Sequence, residues 1–213
     1  MNIEHNKIAL FDMDGTLFDY EGQLRQDLSK LAWPNEPNYL DLNVNVLELE
    51  HTESYLKARI DLIKSKPGWW RDLPKLNDGW RIFKMAKEIG FHCQILTKGP
   101  SSRPYVWQEK VECIRKHFAP GEVESINITE DKSIHYGRVL VDDFPNYMDS
   151  WMYHRCRGLG IMPANINNMD YQHPNVLRVN MKDMYDDWGV YEALVAAFKR
   201  GPKEHWKNKL EQS

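Results

Sequence analysis

The chain has 213 residues, of which 42% are hydrophobic and 28% are charged, and its formal net charge is −3. This length suits one α/β core with a modest insertion and is too short for two large domains. The charge argues against a nucleic-acid backbone as the main partner, because neutralising its phosphates requires a basic protein surface.

Six short apolar runs predict buried strands of a parallel sheet. These runs are residues 7–12, 92–97, 125–129, 138–142, 159–162 and 176–179. Helix-length segments lie between them, at residues 76–89, 105–117 and 185–199. Strands alternating with helices predict an α/β fold, a Rossmann-like parallel sheet with helices on both faces. In such sheets, ligands bind beyond the carboxyl ends of the strands.

Residues 18–75 interrupt this alternation, since they are far more numerous than the roughly twelve that a crossover requires. Helical patterns occur at residues 21–31 and 44–64, separated by a loop that contains two prolines. We therefore predict a small helical cap over residues 18–75, inserted after the first strand. The α/β core would then comprise residues 1–17 and 76–213.

Two carboxylates, Asp12 and Asp14, follow the first predicted strand directly. One of them can attack phosphorus while the other donates a proton to the leaving oxygen. Gly15 permits a tight turn whose backbone N–H groups can face phosphate oxygens. A calcium-binding loop is the alternative, but this sequence lacks the third ligand before the glycine and the distal glutamate that such a loop needs.

A second acidic pair, Asp142 and Asp143, follows the fourth predicted strand. Together with Asp12, this pair would form a site of hard oxygen ligands, which Mg²⁺ prefers; an exposed acidic loop is the alternative. The hydroxyl of Thr97 could bind a phosphate oxygen, and Lys132 could supply positive charge. Thr97 alone is no better evidence for a phosphate site than any loop threonine. Lys132 alone would more often be a surface lysine.

In combination, and in this order at strand ends, these four motifs resemble those of the haloacid dehalogenase-like (HAD) hydrolases. The resemblance covers residues 7–145. It implies that Asp12 is a nucleophile that forms an aspartyl-phosphate and that Asp14 is the acid/base. Thr97 and Lys132 would bind the phosphoryl group. The residues that would hold Mg²⁺ are Asp12, Asp14 (through its backbone carbonyl), Asp142 and Asp143.

Four segments carry a narrower resemblance, to the 5′(3′)-deoxyribonucleotidases that dephosphorylate nucleoside monophosphates. The segments are residues 12–20, 67–73, 129–132 and 186–188. This resemblance implies that Tyr20, Trp69 and Trp70 line a nucleobase pocket. Stacking on such rings contributes about 1–3 kcal/mol per base. The alternative is that the two tryptophans only join the cap to the core.

The sequence departs from this nucleotidase pattern at two positions. Lys98 stands where these enzymes usually have a small serine, and Glu130 stands where they typically have arginine. Lys98 would add a second phosphate-binding cation, whereas Glu130 removes a cation.

The sequence therefore predicts a Mg²⁺-dependent phosphatase that hydrolyses 5′(3′)-(deoxy)nucleoside monophosphates. Two alternatives stay open. One is a phosphatase of the same superfamily that acts on another small phosphate ester or on a nucleic-acid phosphate end. The other is a non-catalytic phosphate- or partner-binding module, against which the intact pair of Asp12 and Asp14 argues.

Location and partners follow from simpler features of the sequence. Three cysteines without a CxxC pair are typical of a reducing compartment. No apolar run approaches the roughly 20 residues that span a bilayer. We expect a cytoplasmic protein whose partner is a small-molecule nucleotide, with no membrane or nucleic-acid partner; a homodimer is left open.

Overall fold

A computed structural model of the chain describes residues 7–42, 48, 54–181 and 184–210. Its strands form one parallel sheet in the order β3-β2-β1-β4-β5-β6. They are β1 Ile8–Phe11, β2 His92–Thr97, β3 Ser125–Ile128, β4 Val139–Val141, β5 Leu159–Pro163 and β6 Val176–Val179. All six lie where the apolar runs predict them, so the predicted α/β sheet is confirmed.

α-Helices of the described residues follow β1, β2, β4 and β6, whereas single 3₁₀ turns lie between β3 and β4 and between β5 and β6. The α-helices are α1 Tyr20–Lys30, α2 Ser54–Lys64, α3 Asn77–Ile89, α4 Pro104–His117, α5 Pro145–His154, α6 Met184–Lys199 and the single turn α7 Lys207–Leu210. Part of the predicted helix over residues 44–64 lies outside the described residues. The sequence analysis does not predict α5, although Pro145 at its first position is a recognised helix start.

Helices cover both faces of the sheet. Successive residues of a strand point to opposite faces, so a buried strand contributes to a core on each side. Ala9 and Phe11 of β1 belong to a large apolar core with α3, α4 and α6. Ile8 and Leu10 pack on the other face with buried residues of α5. Among the residues that the structure describes, no helix has the length and apolar character needed to cross a membrane.

The segment between β1 and α3 leaves and rejoins the core at neighbouring positions. Phe18 forms an isolated antiparallel bridge with Lys75. Asp19 donates its backbone N–H to Pro74 O at 2.8 Å, and Leu76 donates to Leu17 O at 2.9 Å. These two hydrogen bonds form a narrow stem. The stem supports the predicted cap at residues 18–75, which we retain as a proposal.

Helix α3 begins directly against the loop that follows β1. Trp80 donates its indole N–H to Leu17 O at 2.9 Å. A Cβ atom on Gly79 would overlap the backbone carbonyl of Thr16, which no rotamer change could relieve. This close approach explains why a glycine, although a poor helix former, occupies the first turn of α3.

Gly79→Ala should therefore destabilise the fold by about 1–3 kcal/mol, the usual cost of overpacking a tight contact. Urea unfolding would measure the change. The control is Gly189→Ala in α6, where a Cβ atom meets nothing within 4 Å. That control should leave stability unchanged or raise it by up to about 1 kcal/mol, because alanine is the better helix former. Equal effects of the two substitutions would contradict the proposed contact.

Candidate active site

The site begins at the carboxyl ends of three adjacent strands. Asp12 follows β1, Thr97 is the last residue of β2, and Asp142 follows β4. The sheet order puts β1 between the other two strands, and all three run in the same direction. Their polar end residues therefore converge at one edge of the sheet, as strand-end chemistry requires.

A tight turn carries Asp14 back towards the same edge. Leu17 and Phe18 both donate their backbone N–H to Met13 O, at 2.9 and 2.8 Å. Gly15 has φ +78°, a left-handed conformation that glycine adopts without strain. A side chain at Gly15 would also collide with the carboxylate of Asp143. The turn therefore needs glycine for two independent reasons.

Lys132 joins two of the acids. Its ammonium lies 2.7 Å from Asp12 Oδ1 and 2.7 Å from Asp142 Oδ2. The residue is 2% exposed. Burial by itself would lower the pKa of Lys132, but the charges of Asp12 and Asp142 outweigh it and raise the pKa above its ordinary value. The lysine is therefore a permanent cation beside the predicted nucleophile.

Three buried acids, Asp12, Asp142 and Asp143, each place a carboxylate oxygen within 4.8 Å of the others. Burial raises the pKa of Asp142 to about 6, although Lys132 opposes the shift. Burial, and then the charges of Asp142 and Asp12, raise the pKa of Asp143 well above its ordinary value. Such crowding disfavours the ionised acids unless a cation joins them. This set of hard oxygen donors therefore fits a metal ion such as Mg²⁺.

Residues distant in sequence hold Asp143 in place. Thr16 donates its hydroxyl to Asp143 Oδ1 at 3.2 Å, and Asn165 donates its side-chain amide to Oδ2 at 2.7 Å. Asn168 donates its side-chain amide to the backbone carbonyl of Asp143 at 2.9 Å. The sequence analysis missed both asparagines. Their position just beyond β5, at the same edge as the acids, is the signal that could have found them.

Asp14 is paired with a lysine that the sequence analysis also missed. The ammonium of Lys110 forms an ion pair with Asp14 Oδ2 and donates to Thr97 Oγ1 at 3.0 Å and to Lys98 O at 2.6 Å. Burial raises the pKa of Asp14 even though Lys110 lowers it. Lys110 is buried on the same face of α4 as Val106. A lysine at helical spacing among apolar residues was the available signal.

The acids and lysines open into a cavity of about 870 Å³. The predicted site residues that line it are Asp12, Asp14, Tyr20, Trp70, Lys98, Lys132 and Asp143. Lys98 lies over the ring of Tyr147, 5.9 Å from its centre, and Lys132 lies over the same ring at 4.5 Å. Thr97 and Asp142 are fully buried behind this surface. Glu130 is exposed and is not part of the cavity wall.

The three predicted base-pocket aromatics pack against one another. Tyr20 and Trp70 stack with ring centres 5.5 Å apart and planes 24° apart. Enclosing a third ring needs a separation of about 7 Å, twice the contact distance of carbon atoms. Trp69 meets Trp70 edge to face at 5.0 Å and donates its indole N–H to Asp27 Oδ2 at 2.9 Å. In this arrangement Tyr20 and Trp70 form part of the cavity wall, whereas Trp69 lies behind them.

Comparison with known proteins places the chain among nucleotidases. Residues 6–187 match the family described as 5′ nucleotidase, deoxy (pyrimidine), cytosolic type C protein. A human protein named 5′(3′)-deoxyribonucleotidase, cytosolic type, is 25% identical over 140 residues, covering 63% of this chain and 69% of that protein. A Bordetella pertussis protein, provisionally named as a 5′(3′)-deoxyribonucleotidase, is 24% identical over 138 residues, covering 65% and 74%.

The fold has a counterpart among solved structures. A haloacid dehalogenase-like family hydrolase from Xanthomonas campestris superimposes with a TM-score of 0.52 at 13% identity, over 92% of this chain and 99% of that one. The predicted resemblance is thereby confirmed at the levels of fold and family. The chain belongs to the cytosolic type C family of 5′ nucleotidases, built on the haloacid dehalogenase-like fold.

Proposed function

We propose that the protein is a Mg²⁺-dependent phosphatase that hydrolyses 5′(3′)-(deoxy)nucleoside monophosphates through a phospho-aspartate on Asp12. Family and fold make it a phosphoric monoester hydrolase. One observation carries the finer proposal. Asp12 ends the central strand at the cavity wall, is held by Lys132 at 2.7 Å, and shares that wall with Asp14.

The proposed reaction has two displacement steps at phosphorus. An oxygen of Asp12 forms a bond to phosphorus as the ester P–O bond breaks, and Asp14 gives its proton to the leaving oxygen. A water molecule then attacks the phosphorus of the phospho-aspartate while Asp14 takes up its proton. Asp12 returns as a carboxylate and inorganic phosphate leaves. The raised pKa of Asp14 favours the protonated form that the first step requires.

The surrounding residues would bind the phosphoryl group and the metal ion. Lys132 and Lys98 offer positive charge to the phosphoryl oxygens from the cavity wall. The carboxylates that would hold Mg²⁺ are those of Asp12, Asp142 and Asp143, joined by the backbone carbonyl of Asp14. When bound, the ion would offset the negative charge that the phosphoryl group adds to this acidic site.

The cavity favours a substrate larger than a simple phosphate ester. Its volume of about 870 Å³ lies within the usual range for small-molecule sites. Tyr20 and Trp70 both contribute aromatic surface to the cavity wall, and any nucleobase can stack on an aromatic ring. The stacking of the two rings on each other also keeps a second candidate open, a phosphatase for another small phosphate ester that carries no base. A turnover screen with Mg²⁺ against nucleoside monophosphates and sugar phosphates separates the two candidates.

Asp12→Asn should lower kcat by a factor on the order of 10³ or more, because an amide cannot attack phosphorus. The fold should survive, since the asparagine oxygen can still accept the hydrogen bond from Lys132. Release of inorganic phosphate and a thermal unfolding curve measure the two effects. Asp78→Asn is the control, an acid of the cavity wall outside the metal cluster. Substantial turnover by a clean Asp12→Asn preparation would exclude the covalent mechanism.

Mg²⁺ should stabilise the folded protein more at pH 7.5 than at pH 5. The raised pKa of Asp142, about 6, means that the metal-free protein loses stability as pH rises from about 4 to about 6. Mg²⁺ binds the ionised acids, so it offsets this loss above pH 6 and must displace a proton at pH 5. At a hundredfold excess over Kd, the gain at pH 7.5 is about 2.7 kcal/mol.

Thermal unfolding at both pH values, with and without Mg²⁺, tests this expectation. Asp143→Asn should reduce the shift caused by Mg²⁺, whereas Asp78→Asn should retain it. A shift that is the same at pH 5 and pH 7.5 would remove the buried acids from the metal site.

Trp70→Ala should lower kcat/KM for deoxyuridine 5′-monophosphate by about 1–3 kcal/mol, roughly 5- to 150-fold. Hydrolysis of p-nitrophenyl phosphate should change less, because that substrate carries no base. Trp33→Ala is the matched control, since Trp33 lies on the cap segment and is 66% exposed. Equal losses on both substrates would mean that Trp70 only packs the cap against the core.

A further inference from the structure

Helix α4 carries a carboxylate that binds residues 66–74, which we call the return loop of the cap segment. Glu109 accepts the backbone N–H of Gly68 at Oε1, at 2.7 Å, and that of Trp70 at Oε2, at 3.1 Å. Gly68 has φ +84°, a conformation that lets alternate N–H groups point at one anion. The backbone of Trp70 is therefore fixed to a core helix by a charge-assisted pair of hydrogen bonds.

The next residue of the same helix reaches the ring of Trp70. The ammonium of Lys110 lies 5.1 Å from the centre of the Trp70 ring and forms the ion pair with Asp14. Lys110 is 2% exposed, so these neighbours, together with Thr97 and Lys98, must compensate its charge. One buried cation thus contacts both the aromatic wall and the predicted acid/base.

The two oxygens of Asp14 differ in their surroundings. Lys110 binds Oδ2, whereas Oδ1 is buried and has no hydrogen-bond partner within the described part of the chain. A carboxyl group held at one oxygen has a fixed orientation, which proton transfer to a leaving group requires. Lys110 therefore fixes the orientation of the Asp14 carboxyl group at the cavity wall.

We propose that Glu109 and Lys110 are a positioning pair that sets the separation between the Trp70 ring and the Asp14 carboxyl group. Adjacent residues of a helix cannot move relative to each other, so the ring and the acid are held from one rigid support. The pair makes the site select substrates whose aromatic part and leaving oxygen match this separation. The kinetic part of this inference rests on the proposed function; the structural part does not.

A second lysine of α4 provides a contrast. Lys116 binds Asp72 of the same return loop at 2.9 Å, but both side chains are about half exposed, at 51% and 50%. Such surface pairs contribute little to stability. Lys116→Gln therefore removes a lysine contact between the same two segments without touching Trp70 or Asp14, and serves as the matched control.

The structural test is amide hydrogen exchange in the substrate-free protein. Glu109→Ala removes both acceptors, and Glu109→Gln keeps one oxygen and almost the same volume. Exchange across residues 66–73 should increase several-fold in Glu109→Ala and less in Glu109→Gln, with no comparable change in Lys116→Gln. Unchanged exchange in both Glu109 variants would overturn the proposal.

The kinetic test separates the roles of the two residues. Glu109→Ala should raise KM for deoxyuridine 5′-monophosphate several-fold with a smaller effect on kcat. Lys110→Gln should lower kcat for that nucleotide more than tenfold. Its effect on p-nitrophenyl phosphate should be smaller, because nitrophenolate leaves without a proton. In the double variant the losses should be less than multiplicative, because both residues act through one separation.

Thermal unfolding confirms that each variant is folded, and Glu109→Gln serves if Glu109→Ala is not. Multiplicative losses, or equal losses on both substrates, would overturn the positioning role. If the wild type hydrolyses p-nitrophenyl phosphate but no nucleotide, the proposed nucleotide substrate fails, and the exchange result alone decides whether Glu109 positions the loop.

Discussion

The buried ammonium of Lys132, 2.7 Å from each of Asp12 and Asp142, is the interaction around which the site is arranged. β1 lies beside β4 in the sheet, which brings Asp12 and Asp142 to the same edge although their negative charges repel each other. One lysine cannot neutralise them once Asp143 adds a third carboxylate. The residual negative charge makes the edge suitable for a divalent cation, and the lysine keeps it compatible with a phosphate dianion.

The cavity exists because the segment after β1 returns close to its point of departure. The bridge between Phe18 and Lys75 makes a narrow stem of only a few hydrogen bonds. The orientation of the segment therefore depends on contacts made elsewhere. Helix α4 supplies several of these contacts, namely the partly buried hydrogen bonds of Glu109, the buried ammonium of Lys110 and the exposed ion pair of Lys116. Of these contacts, those of Glu109 and Lys110 touch Trp70, and that of Lys110 also touches Asp14.

Recognition of the leaving group would depend on which aromatic side chains pack against one another and which of them face the cavity. Tyr20 and Trp70 stack on each other, and Trp69 is turned away by its hydrogen bond to Asp27. A nucleobase would therefore meet an aromatic face on one side only. Another part of the wall comes from residues beyond β4 and β5, among them Phe144, Tyr147 and Ile166. Selectivity would thus come from two distant parts of the chain acting together.

The sequence by itself determined most of the elements and the acidic residues at the strand ends. Apolar runs located all six strands, because inner strands such as β1 and β4 are buried and apolar along their length, and the edge strands β3 and β6 are apolar at half or more of their positions. Asp12, Asp14, Asp142 and Asp143 stood out because acids directly after such strands need compensation. The helix α5 was missed although Met148, Trp151 and Met152 follow helical spacing after Pro145, because so short a helix shows this period only about twice.

Only the tertiary structure decided which side chains complete the site. Lys110 is 96 residues from Asp14, and Asn165 is 22 residues from Asp143, so neither pairing leaves a local pattern. The mutual stacking of Tyr20 and Trp70 likewise depends on how α1 and the return loop pack, because ring orientation is set by neighbours rather than by residue type. Sequence periodicity reports what is buried within one element. Contacts between elements, including the pairing of α4 with the loop after β1, arise only when the chain is folded.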